Sequence, residues 1–106
     1  MTDPEEVYDR LATDQLRDPA VSLGRAMQNE VLTIRGKIFA FRKDDRLVLK
    51  LPAAQVAELI RDGRGVPFQS GRRTMREWVA VDLPDDGTTW ATLMATAREF
   101  VDPDRR

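Results

Sequence analysis

The chain has 106 residues, no cysteine, no histidine and a net charge of −1. That length suits one domain with one modest core, and an apolar fraction of 42% argues against global disorder. Without thiol or imidazole there is no thiolate or imidazole metal site and no Cys or His nucleophile or base, and no apolar run approaches the ~20 residues of a membrane span.

The elements follow in chain order. Asp3-Pro4-Glu5-Glu6 reads as a helix start: Asp3 caps, Pro4 suits the first turn, and two glutamates favour the positive end of the helix dipole. Val7 and Leu11, with Tyr8 and Ala12 beside them, form one apolar face, and the helix is expected over about 4–16, ending before Asp18-Pro19. From about Leu23 the texture becomes β-prone. Residues 31–34, 38–41 and 47–51 read as a three-stranded antiparallel meander, with Arg35-Gly36 and Lys43-Asp44-Asp45 as its turns. Pro52 opens a second helix at its first position, Val56, Leu59 and Ile60 form its buried stripe, and Gly63 suits its C-terminal cap.

Residues 63–67 then read as a loop, and 77–83 as a strand with Val79, Val81 and Leu83 on one face and Trp78 and Ala80 on the other. After the turn Asp85-Asp86-Gly87, Trp90, Leu93, Met94, Ala97, Phe100 and Val101 recur at helical spacing as a core stripe. Asp102-Pro103 ends that helix, and the tail Asp104-Arg105-Arg106 is expected to fray. The expected architecture is a single α/β (α+β) domain over 1–106, its core at about 23–101, with a curved antiparallel sheet, helices packed on it and the order α-β-β-β-α-β-α.

Charge is unevenly spread. Residues 1–20 hold two basic and six acidic groups (net −4), residues 21–76 twelve and five (net +7), and residues 77–106 three and seven (net −4). Asp82, Asp85 and Asp86 before Gly87 superficially resemble a calcium loop, but Pro84 and Leu93 occupy ligand positions of that register, so a helix-capping turn is the better reading. Asp44-Asp45 reads as a solvated turn. Gly63-Arg64-Gly65 and Gly71-Arg72 match neither nucleotide-binding glycine pattern, and Ser22 and Ser70 have no histidine to activate them. Arg72, Arg73 and Arg76, followed by Trp78, are the most suggestive cluster, since guanidinium groups bind phosphate and an exposed indole stacks on a base. The competing reading puts Trp78 in the core and leaves the arginines as a solvated or ion-paired face.

Lys37-Ile38-Phe39-Ala40 after Gly36, then residues 47–52, Pro67-Phe68, and residues 71–81 with Met75-Arg76-Glu77-Trp78-Val79, together resemble the TfoX N-terminal domain family over about residues 25–101. The MmcQ/YjbR family is similar in the same places. The resemblance implies an α/β domain with a curved antiparallel sheet. Full-length TfoX/Sxy proteins regulate natural competence and carry a second, helical domain that these 106 residues lack, so a stand-alone N-terminal domain is the expectation. Where that family often has Met-Phe-Gly-Gly, this chain has Met27-Gln28-Asn29-Glu30. No catalytic residues carry over, and neither a cofactor nor a metal is expected.

The functional expectation is a non-catalytic regulatory or protein-interaction module, acting on a protein partner or as a homodimer, with no membrane association and a bacterial cytoplasmic location. An acidic N-terminus without an apolar stretch and the lack of cysteine both fit that location. The alternative is a nucleic-acid-binding module of MmcQ/YjbR type, with Lys37, Lys50, Arg72, Arg73 and Arg76 as contacts, although the overall pI of about 5.4 lacks the usual basic footprint.

Overall fold

The computed structural model describes residues 2–26 and 28–104. The N-terminal helix forms as its sequence dictates: α1 spans Pro4–Gln15, and the Asp3 carboxylate accepts from the Glu5 amide at 3.0 Å. Two hairpins follow, β1 (Val21–Ala26) with β2 (Asn29–Ile34) and β3 (Lys37–Lys43) with β4 (Arg46–Lys50), and then α2 (Ala53–Arg61). A third hairpin of β5 (Val66–Ser70) and β6 (Arg73–Val81) leads to α3 (Thr88–Val101). All strand pairs are antiparallel, and the single six-stranded sheet has the order β1-β2-β3-β4-β6-β5.

The expected α-β-β-β-α-β-α order is therefore corrected to α-β-β-β-β-α-β-β-α. Both unanticipated strands, β1 and β5, lie at the sheet's edges. In β1, Ser22, Gly24 and Arg25 interrupt the apolar alternation, and pairing with β2 supplies what local propensity does not. In β5, Pro67 argued for a loop, but an edge strand has amides that need no ladder partner. The strand expected at 77–83 starts at Arg73 instead, because the Gly71-Arg72 turn closes a hairpin (Ser70 opposite Arg73), and it ends at Val81. Pro52 caps α2 from outside rather than occupying its first position. The α2 C-terminus is a Schellman motif: Gly63 adopts φ 72, its amide donates to the Ile60 carbonyl, and the Arg64 amide donates to Leu59. Arg35 and Gly36 both have positive φ (48 and 84), as the tight β2–β3 turn requires. Met27 and the tail residues Arg105 and Arg106, on which the family departure and the expected fraying fall, lie outside the described residues.

Strand alternation sends two sets of side chains to opposite faces. Leu47, Leu49, Leu51, Val79 and Val81 join Leu32, Ile34 and Phe39 under α1, α2 and α3, which contribute Val7, Leu11, Val56, Leu59, Trp90 and Met94 to the same cluster. Trp90 is fully buried and its indole N–H donates to the Asp82 carbonyl at 3.1 Å. The opposite face carries a second cluster of Val31, Phe41, Val48, Phe68 and Ala80, to which no helix contributes. Yet Val31, Phe41 and Val48 are only 1–2% exposed. The sheet itself covers them. Three strand spacings separate β3 from β5, roughly 14 Å in a flat sheet, but the Phe41 and Phe68 ring centroids lie 5.8 Å apart in an edge-to-face contact. Register breaks within β2–β3 and β5–β6 bend the strands enough to allow this curl.

Two consequences can be measured. Gly87 has φ 116, and a β-carbon there would lie 2.8 Å from Val7 Cγ1 and 2.9 Å from Arg10 Nη2. Gly87→Ala is expected to cost about 2–4 kcal/mol in urea unfolding by straining the α3 start and pushing α1 away. Gly71→Asn, left-handed but in open space, should cost under about 1 kcal/mol. Equal costs would show that α1 is not seated where Gly87 places it.

Tyr8, the only tyrosine, is pushed up to about 12, first by burial and then by Glu30 and Asp9, with Arg42 opposing. Its neutral form is favoured in the fold. That stability is complete below the unfolded value near 10 and is lost as pH rises through the folded value, each pH unit in between being worth about 1.4 kcal/mol. Ultraviolet titration should show phenolate forming near 12 in the folded chain, and wild type should lose stability relative to Tyr8→Phe across that window. Parallel stability curves for the two proteins would contradict this burial.

Candidate functional site

The acidic ends of the chain fold back onto its basic middle. Arg42 pairs with Glu5 at 3.4 Å, Arg46 with Asp82 at 2.9 Å and Arg35 with Asp102 at 3.2 Å. Arg98 and Asp18 join α3 to the α1–β1 connection, and the Ala20 amide and Arg98 hold the Asp18 carboxyl below its usual range. Asp85 accepts from the Gly87 amide and the Thr89 hydroxyl, and Asp86 from the Thr88 hydroxyl. The Thr89 hydroxyl and Gly87 amide lower the Asp85 pKa. Asp85 and Asp86 are thus committed to starting α3, as a helix-capping turn requires. No group of acidic side chains with metal-binding geometry occurs among the described residues.

Four cations line two clefts beside Trp78. This indole is half-buried on the helix-free face, packed against Phe41 and Phe68 at 6.0 and 6.2 Å between centroids. The indole N–H has no acceptor among the described residues. Lys50 lies directly opposite Trp78 across the β4–β6 pair. A cleft of about 570 Å³ places Lys37, Lys50, Glu77 and Trp78 together, closed on one side by Phe100 and Val101 at the end of α3. An adjoining cleft of about 440 Å³ brings Lys50, Arg73, Arg76, Glu77 and Trp78 together beside Ala53 and Met75. Glu77 is the one carboxylate in either lining and reaches Lys50 only at 4.0 Å. Lys37, Arg73 and Arg76 are exposed and form no ion pair among the described residues.

Of the five contacts expected from sequence, Lys37 and Lys50 line one cleft beside Trp78, and Lys50, Arg73 and Arg76 line the adjoining one. Arg72 stands apart at the tip of the β5–β6 hairpin, exposed and lining neither cleft. Trp78 itself is shared between the two sequence readings, part of a hydrophobic cluster and part of an open surface.

A third depression adjoins these clefts and was not anticipated. Ala53, Val56, Ala57 and Ile60 of α2 face Met75 and Trp78 across a groove of about 340 Å³, with Pro67 at one end. Val56 and Ile60 belong to the α2 stripe expected from sequence, whereas Ala53 and Ala57 lie outside that stripe and are exposed. At the far end of the sheet, a cleft beside the β3–β4 turn has Lys43, Asp44, Asp45, Arg46 and Asp82 interleaved, so it presents no field of one sign.

No family model, no curated protein and no solved structure matches this chain. No helix among the described residues is long and apolar enough to cross a membrane.

The two tryptophans make this site measurable. Trp90 is fully buried and Trp78 half-buried among cations. Iodide is expected to quench only part of the tryptophan emission and to quench it more strongly than caesium, a difference that salt should reduce. Trp78→Phe should leave a residual emission that neither ion quenches. Equal quenching by the two ions would mean that the cations are not gathered at the indole.

Proposed function

We propose that this chain is a non-catalytic binding module of regulatory type, working in the cytoplasm through the surface around Trp78 on a protein partner or a second copy of itself. The reading agrees with the role implied by resemblance to the TfoX N-terminal domain family. One observation carries it: a half-buried indole at the junction of two clefts lined by Lys37, Lys50, Arg73 and Arg76, with Glu77 the one carboxylate in either lining. Large aromatics in contact with both an apolar groove and flexible cations are typical anchors of protein interfaces. The displaced pKa values have structural causes: Tyr8 lies in the core, and Asp18 and Asp85 accept hydrogen bonds beside helix ends.

The same observation favours a second reading, a nucleic-acid-binding module in which the indole stacks on a base and the cations follow the phosphate backbone. Anisotropy titrations with labelled single-stranded and duplex DNA, at low and at physiological salt, separate the two. The protein-partner reading expects at most weak association that vanishes at physiological salt. Binding that survives physiological salt, falls steeply with further salt and is lost in Arg72→Ala/Arg73→Ala/Arg76→Ala would replace it with the nucleic-acid reading.

A further inference from the structure

We infer that the groove between α2 and β6 receives an acidic amphipathic helix from a partner protein. This rests on the binding-module reading and specifies the occupant of the same surface. The groove is apolar on both sides: Ala53, Val56, Ala57 and Ile60 form one wall, Met75 and Trp78 the other. Thr74 and Arg76 are its polar lining residues. Such a lining offers little fixed hydrogen bonding with which to read a base edge or a small polar ligand, and it suits aliphatic or aromatic side chains.

Length and shape point to a helix. The α2 wall runs from Ala53 to Ile60, at i, i+3, i+4 and i+7, a span of roughly 10 Å. A partner helix laid alongside presents its own apolar side chains at that same spacing. Alanine at 53 and 57 keeps the outer wall low, so a larger side chain can enter from above. Both alanines are exposed in the free chain.

Charge selects which helix. Arg76 borders the groove and also the adjoining cleft, where Lys50 and Arg73 stand. Arg73 and Arg76 have no ion-pair partner among the described residues, and Glu77 is the single acid at this mouth, only 4.0 Å from Lys50. Carboxylates flanking the apolar anchors would meet these cations. A basic helix would be repelled, and a polyanion without apolar side chains would leave the groove unfilled.

The test uses the full chain and a labelled synthetic peptide of about four helical turns, with leucines at i, i+3 or i+4, and i+7 and glutamates between them. Two control peptides share its length: a scrambled sequence of identical composition and an analogue with lysine for every glutamate. Saturable anisotropy with a change in Trp78 emission is expected for the first peptide, with affinity at least about tenfold weaker for each control. Ala57→Glu and Ala53→Glu place a good helix former at an exposed helix position, so both should keep the wild-type circular dichroism. Each should weaken the peptide about tenfold or more by filling the groove with a like charge. Arg73→Ala/Arg76→Ala should weaken binding several-fold and flatten its salt dependence.

Equal binding of the scrambled peptide overturns the proposal, as does wild-type affinity in both alanine-to-glutamate variants. If the peptide fails while DNA binds through the arginines, the helix is wrong and the Trp78 surface survives as a binding site. If neither peptide nor DNA perturbs Trp78, both readings fall.

Discussion

The fold depends on a sheet that buries apolar side chains on both faces although helices cover only one. Alternation along β4 and β6 makes this unavoidable: leucines and valines that meet the helices are interleaved with Val48, Trp78 and Ala80, which point the other way. A flat six-stranded sheet would leave that second set wet. Curling brings Phe68 from the edge strand over Phe41, with Trp78 packed against both rings. Lys43 then lies 5.9 Å from the Phe68 centroid and adds its aliphatic stem to the cover. Gly65 belongs to the same device. Its position admits no side chain, since a β-carbon would stand 2.7 Å from Val79 Cγ2, and this close approach leads β5 tightly onto β6 after α2.

Electrostatics divides the surface in the same way. The chain reads as acidic, basic, acidic, and folding offsets part of that pattern by returning Glu5, Asp82 and Asp102 to Arg42, Arg46 and Arg35. These pairs are partly to well exposed, and pairs of that kind contribute about 0–1 kcal/mol each. They shape the field more than they hold the fold. Three of the cations that form no ion pair among the described residues, Lys37, Arg73 and Arg76, line the clefts beside Trp78, on the part of the sheet where the second cluster runs out to solvent. A protein with a net charge of −1 thereby presents a local positive mouth, which overall charge and pI do not reveal.

Elements governed by local chemistry were legible in the sequence. Asp3-Pro4 starts α1, Gly63 ends α2, the Trp90 stripe makes α3, and the meander from β2 to β4 stands where alternation and turns put it. The edge strands were not legible, because their stability is borrowed from neighbours. β1 carries Ser22 and Gly24 in its middle and β5 carries Pro67, and no local preference outweighs those signals. The arginine cluster was visible as composition, but its meaning was not. Arg72, one residue from Arg73, lines neither cleft, whereas Lys37 and Lys50, remote in sequence, line them. The α2 groove was illegible for a related reason. Ala53 and Ala57 look like ordinary helix formers until β6 places Met75 and Trp78 opposite them.

Trp78 joins the structural and the binding readings, and neither needs to displace the other. A residue that only sealed the second cluster could be fully buried and fully satisfied, as Trp90 is on the helix side. Trp78 instead stays only half-buried, beside Met75 and a groove wall of small residues. Exposed apolar surface of this kind forgoes about 25 cal/mol for each Å² left wet. Folding recovers none of it, whereas a partner that covers the groove does. The surrounding cations add little to the stability of the free chain, because Lys37, Arg73 and Arg76 form no ion pair among the described residues and the Lys50–Glu77 pair is long and partly exposed. Their effect begins when a complementary charge arrives, first by speeding the encounter and then by fixing its orientation. An anchored aromatic, an uncovered apolar wall and unspent charge at one place therefore define a surface whose interactions are completed by another molecule.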